Sequence, residues 1–343
     1  MKYLIILGNG FSIDLLHYID KFKDYPLTNL LSYGDKLRWP ASDSNAFISF
    51  RHTPNLWLLG VRSNNPAEKN MQIVENIITC ANAIQMKKPI EAPAASGSVG
   101  DVHLNAYKEL VSFLKFLFIQ FDHEINVSKE ELTDWHWANL LKELDDDDTV
   151  DQVDIITFNY DLWMERVLDA LDISYHTTVI ENGGSGKFSI TKPHGSISFV
   201  HAKSMDVSSF NINYSSEIGI LEGVESDFVL EMDNLKKHSP VTPLIPPAGD
   251  SSRYGLTWAG KLKAEAERRA TCIAEGDKVI MCGLSYWHVD RREIDEILLK
   301  LNSQCELAYI NPSPPEALDA VLTSLFRNYE HYVSAERYAG GKK

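Results

Sequence analysis

The run Tyr3-Leu4-Ile5-Ile6-Leu7, stopped by Gly8-Asn9-Gly10, constrains the fold more than any other part of the chain. An unbroken apolar run leaves no polar face for solvent, so such a strand must be covered on both sides, as in the middle of a parallel sheet. Comparable runs recur at Val153 to Phe158, Lys278 to Cys282 and Leu307 to Ile310. Each is followed by a turn and a stretch suited to helix: Ile13 to Ile19, Leu162 to Leu171, Arg291 to Leu301, and Pro315 to Phe326. The expected class is α/β, a doubly wound parallel sheet.

About 145 residues separate the first two runs, far more than a strand-to-strand crossover needs. A mostly helical insertion is therefore expected over 17–150, with Leu110 to Phe121 and Trp135 to Leu144 as its clearest helices. The sheet core then comprises 1–16, 151–200 and 271–330, with a second, smaller insertion over 201–270 in which Ile245-Pro246-Pro247 makes an extended break. The small residues from Glu91 to Gly100 read as a solvated connector rather than a lid. Asp145-Asp146-Asp147-Asp148 reads as a solvated run, because successive carboxylates cannot all face one ion.

Composition narrows the function. Apolar residues make up 44% and charged residues 24% of the 343, an ordinary globular balance. The formal net charge of −15 repels nucleic acid, so no direct nucleic-acid partner is expected. Cys80, Cys272, Cys282 and Cys305 form no CxxC pair, and none lies between His194 and Cys272, so no zinc is expected in the second insertion. The first residues run straight into a glycine turn without an apolar stretch fit for export or a bilayer span, which predicts a cytoplasmic protein with no membrane partner.

Several strand-end segments carry chemistry. Gly8-Asn9-Gly10-Phe11-Ser12 is a turn where absent side chains let backbone approach a phosphate at a helix N-terminus. It lacks the third glycine of the dinucleotide fingerprint, Ile13 standing there, and no acidic residue closes a second strand about twenty residues on, which disfavours a nicotinamide dehydrogenase. Thr157-Phe158-Asn159-Tyr160-Asp161 puts an amide at a strand's C-terminal edge, suited to holding a water or a ribose hydroxyl. Asp161 either caps the following helix or orients a neighbour at the site. Pro193-His194-Gly195 fixes one of eleven histidines in a tight turn, with His288 a weaker candidate. Cys282-Gly283-Leu284-Ser285 supplies a second glycine turn, and Asn311-Pro312 an amide able to grip a ribose.

In order and content, GNGFS, TFNYD, PHG, CGLS and INP resemble the sirtuin pattern of motifs around NAD. The resemblance implies a Rossmann-like, sirtuin-type core and carries over Asn159 and His194 as catalytic asparagine and histidine, and Asp161 as an NAD-site aspartate grouped with them. It implies cofactor contacts at Gly8, Asn9, Gly10, Phe11, Ser12, Gly283, Leu284, Ser285 and Asn311. The chain lacks the four-cysteine zinc module of deacylating sirtuins and their GIPDFR segment, having only Asp24-Tyr25-Pro26-Leu27 near that place. It is thereby similar to the bacterial sirtuin-like NAD hydrolases of antiphage defence, and the implied activity is cleavage of NAD to nicotinamide and ADP-ribose. The alternatives are an ADP-ribosyltransferase, a deacylase, or a non-catalytic module sensing NAD or ADP-ribose. The resemblance also implies control by assembly, as a homo-oligomer or with a separately encoded partner such as a ring-forming ATPase.

Overall fold

A computed structural model describes residues 1–25, 27–42, 45–87, 99–181, 186–214, 224–239, 242–245, 258–288 and 290–340. The connector expected over Glu91 to Gly100 lies outside them up to residue 98, and so do Pro246 and Pro247.

The chain is α/β, and its centre is a seven-stranded, all-parallel sheet. In chain order its strands are β1 (Lys2–Leu7), β2 (Gln152–Thr157), β3 (Tyr175–Thr177), β4 (Phe188–Thr191), β7 (Lys278–Cys282), β8 (Glu306–Ile310) and β9 (Asn328–Tyr332). A separate antiparallel pair, β5 (Phe199–His201) and β6 (Phe228–Leu230), lies in the second insertion. Across the sheet the order is β3-β4-β2-β1-β7-β8-β9. The chain builds β2, β3 and β4 on one side of β1 and then β7, β8 and β9 on the other, so a topological switch lies beside β1, where open α/β sheets bind ligands.

Both faces of β1 are buried, which explains its unbroken apolar sequence. Tyr3, Ile5 and Leu7 enter one core, with α1 (Asn9–Tyr18), α5 (His136–Asp146), α6 (Trp163–Ala170), α10 (Ala335–Ala339) and the insertion. Leu4 and Ile6 enter the other, with α7 (Trp258–Thr271), α8 (Arg291–Leu298) and α9 (Glu316–Leu325). The long insertion between β1 and β2 is mostly helical and contains α2 (Pro54–Leu58), α3 (Ala67–Lys87), α4 (Val99–Glu124) and α5. Helix α7 falls in the stretch expected as a second insertion, yet Ala266 and Ala270 pack on the sheet. Among the described residues no helix is long and apolar enough to cross a membrane.

Register sets the functional edge. Leu7 pairs with both Thr157 and Cys282, and Cys282 with Ile310, so β1, β2, β7 and β8 end level. The segments that follow them emerge side by side. Helix α1 begins at Asn9 rather than near Ile13, because the glycine turn itself forms its first turn, with Gly8 extended at the N-cap.

Candidate functional site

The two glycine turns interlock. Gly8 N donates to Cys282 O at 2.9 Å and Gly10 N donates to Gly283 O at 3.2 Å. The backbone of Gly283, at φ +62°, fills the space beside Gly10 where a side chain would stand. That contact by itself requires glycine at position 10. Gly8, Asn9, Gly283, Leu284 and Ser285 line the cleft above the turns, whereas Phe11 and Ser12 are buried beneath it. Phe11 packs on Trp135 and Trp137 at centroid distances of 5.5 and 5.4 Å.

Asn159 enters the cleft from the end of β2, and its amide is anchored. Nδ2 donates to Gly8 O and to Ser12 Oγ, both at 3.0 Å. Among the described residues Oδ1 takes no donor, so the acceptor end of the amide remains for a ligand. Ser12 Oγ in turn donates to Asp161 Oδ2 at 2.9 Å, and Asp161 Oδ1 accepts the Trp163 amide at 3.1 Å. Asp161 therefore does both things its position allows: it holds the turn into α6 and it fixes the chain Ser12–Asn159. Burial pushes its carboxyl up to about 6, against the charge of Lys192 and the bonds from Ser12 and Trp163.

Lys192, fully buried, ties this segment to the histidine turn. Its Nζ donates to Asp161 O and, at 2.8 Å, to Glu165 Oε1. Beyond it, Gly195 at φ +78° lies against Pro243 O, where a Cβ would come within 2.0 Å. Ser196 N donates to Pro243 O at 3.1 Å and Ile245 N to His194 O at 2.9 Å, so the turn is clamped on both sides of the glycine.

His194 is buried beside Phe158, with ring centroids 5.0 Å apart, and its Nε2 meets Glu293 Oε2 at 2.6 Å. Burial lowers the imidazole's proton affinity, but the Glu293 carboxylate, Asp290 and the Phe158 backbone outweigh it, and the net shift is upward. Asp290, at the N-cap of α8, lines the cleft as well, and its Oδ1 is buried without a partner among the described residues. Burial raises its carboxyl to about 6, opposed by His194 and reinforced by Glu293. Nothing in the local sequence Asp290-Arg291-Arg292-Glu293 singles out Asp290 or Glu293 as cleft residues. His288 is half-exposed and pairs with Glu75 at 3.2 Å.

Asn311 stands apart. It ends β8 on the same sheet edge, but its Nδ2 donates to Tyr309 Oη at 2.7 Å and its Oδ1 accepts the Ser313 amide at 2.9 Å. The cleft itself has a volume of about 280 Å³ and is walled on the far side by the helical insertion, through residues such as Leu31, Val74 and Ile78, and Leu114 and Phe118 of α4. Asn29 and Asn70, bonded to each other at 3.0 Å, give that wall a polar patch. Among the described residues no group of three or more His, Cys, Asp or Glu side chains forms a metal site.

In comparisons with known proteins, no family model matches the chain, and no curated protein matches it.

Proposed function

We propose that the protein is an NAD hydrolase that cleaves the nicotinamide–ribose bond, giving nicotinamide and ADP-ribose. The observation that carries this reading is the convergence of Asn159 and His194, 35 positions apart by their numbering, on one cleft beside two interlocked glycine turns at the switch point of a parallel sheet. The likeness of the motifs to those of sirtuin-like hydrolases gives the pocket its ligand.

The leaving group is a cationic pyridinium, so the C1′–N bond breaks with its electron pair passing to nitrogen, and nicotinamide departs neutral. The ribose becomes oxocarbenium-like, and a water adds at C1′ and loses a proton. Asn159, its donors spent on Gly8 and Ser12, offers Oδ1 to position the water or a ribose hydroxyl. The His194–Glu293 pair holds a ribose hydroxyl and, through it, takes up the one proton that the adding water releases, so the hydroxyl is restored in the product. The Asp290 carboxylate supplies negative charge to the wall of the cleft in which the positive charge develops. The apolar surfaces of α3 and α4 reduce the competition of bulk water.

By the same resemblance the chain is a cytoplasmic effector of antiphage defence that acts by NAD depletion and is switched by assembly, with itself or with a partner such as a ring-forming ATPase. The deciding experiment incubates pure protein with NAD over a range of protein concentrations, alone and with the product of its neighbouring gene, and follows nicotinamide and ADP-ribose together. Stoichiometric release of both supports hydrolysis. Nicotinamide with the ADP-ribose found on a protein or acyl acceptor would assign a transferase or deacylase instead. Binding without turnover under every condition would leave a sensor.

A further inference from the structure

A second cavity, of about 470 Å³, lies on the opposite side of α4 from the cleft. Leu110, Leu114 and Phe118 give the cleft one face of this helix, while Lys108, Ser112 and Lys115 give the second cavity another. The spacing of four and three residues stacks these three polar side chains along a single stripe. Opposite them stand the segment containing Ser209 and Phe210, and His238.

The charge of one lysine in this cavity, Lys115, meets no counterion among the described residues. Lys115 is buried, and its Nζ donates to Lys237 O at 2.7 Å. Among the described residues it meets no carboxylate, so two of the ammonium's three donors lack a protein acceptor. Burying a cation without a counterion is costly and is seldom sustained without a function. The desolvation shows in the ammonium itself, pushed down to about 8, which still leaves it mostly charged at neutral pH. His238 Nε2 bonds Ser209 Oγ at 3.1 Å, and both burial and the charge of Lys115 lower its proton affinity. The nearby carboxylates are committed elsewhere. Glu109 accepts from Asn55, Leu56 and Tyr214, and Asp206 accepts from Ser208. Phe116 and Phe210, in edge contact at 4.6 Å, give the same cavity an aromatic wall.

We propose that this cavity is a binding site for a phosphate-bearing small molecule of nucleotide size, its phosphate held by Lys115, Lys108 and Ser112 and its ring system against Phe116 and Phe210. An anion there completes the coordination of Lys115, and an aromatic base finds the flat apolar surface that inorganic phosphate cannot use.

Titration of the full-length protein with AMP, inorganic phosphate and adenosine, by calorimetry and by thermal shift, tests this. AMP should bind and stabilise the fold, phosphate more weakly, and adenosine least. Lys115→Met keeps the length of the side chain and removes the charge, and it should weaken AMP at least tenfold. Lys108→Ala, at a half-buried position, should weaken it several-fold. His194→Ala, in the cleft, should leave AMP binding unchanged, which separates this site from the proposed NAD site. AMP binding that survives both lysine substitutions, that vanishes with His194→Ala, or that is absent at millimolar concentration overturns the proposal.

Discussion

Gly10 and Gly283 touch through their backbones: a Cβ on Gly10 would stand 2.3 Å from the Gly283 Cα, and one on Gly283 would stand 2.2 Å from the Gly10 Cα. This contact joins the β1–α1 turn to the end of β7 and fixes the floor of the cleft. Gly10 is helical rather than left-handed, so the demand for glycine there is steric. Gly10→Ala and Gly283→Ala should each destabilise the protein by about 1–3 kcal/mol or more, since backbone cannot give way as a side chain can. Gly276→Ala is the control: φ is +80° but nothing lies within 4 Å, so about 1 kcal/mol of backbone strain is expected. Denaturant midpoints decide. Wild-type stability in Gly10→Ala, with ligand binding lost, would return this glycine to a phosphate-binding role.

The legible parts of the fold were those whose burial is written locally. Lys278 to Cys282 is a strand with the bounds read from sequence, because central parallel strands are largely apolar. The short strand Tyr175-His176-Thr177 and the edge strand Asn328 to Tyr332, with its polar Asn, Glu and His, offer no such run. In the cleft, Asn159 and His194 announced themselves through their turns. Glu293 could not, because the bond that gives it meaning spans 99 residues and its own surroundings are those of a surface helix. Asn311 shows the converse: a strand-end amide is where a ligand contact could be, but its local bonds to Tyr309 and Ser313 consume it.

If the cleft cleaves NAD, Asn159→Ala and His194→Ala should each lower the rate by about 10²–10⁴-fold, the usual cost of losing a positioned polar group. Circular dichroism should stay that of the parent for Asn159→Ala, and the melting temperature should fall only by the loss of two bonds, to Gly8 O and to the buried Ser12 Oγ. Undiminished nicotinamide release by both variants, under conditions where the parent turns over, would remove these residues from the mechanism.

The Glu293 carboxylate gives a prediction with a sign. His194 must be neutral to accept a proton, so activity should fall on the acid side as the imidazole, held above its ordinary value, becomes protonated and as Asp290 takes up a proton near 6. In Glu293→Gln the largest upward pull is gone, those of Asp290 and the Phe158 backbone remain, and burial still disfavours the cation. The acid limb of the rate profile should therefore move to lower pH, and the maximal rate should drop about tenfold or more as the ring loses its orienting carboxylate. A profile that keeps its acid limb, or shifts it upward, would show that Glu293 does not govern the histidine.

Lys192 makes the last prediction, because one buried ammonium holds both halves of the site in register. It bonds Asp161 O, two residues past Asn159, and Glu165 Oε1, while sitting two residues before His194. Its side chain is 0% exposed and that of Glu165 is 2%. Lys192→Met leaves the Glu165 charge buried and unpaired, which should cost about 3–5 kcal/mol. Glu165→Gln retains an acceptor and removes the charge, and it should cost less than Lys192→Met. Pairing Lys192→Met with Glu165→Leu replaces two charges with apolar volume and should recover much of the stability. Activity should not return with it, since the double variant no longer ties the carbonyl of Asp161 to the segment that carries His194. A double variant that regains both stability and full turnover would show that the ion pair serves the fold alone.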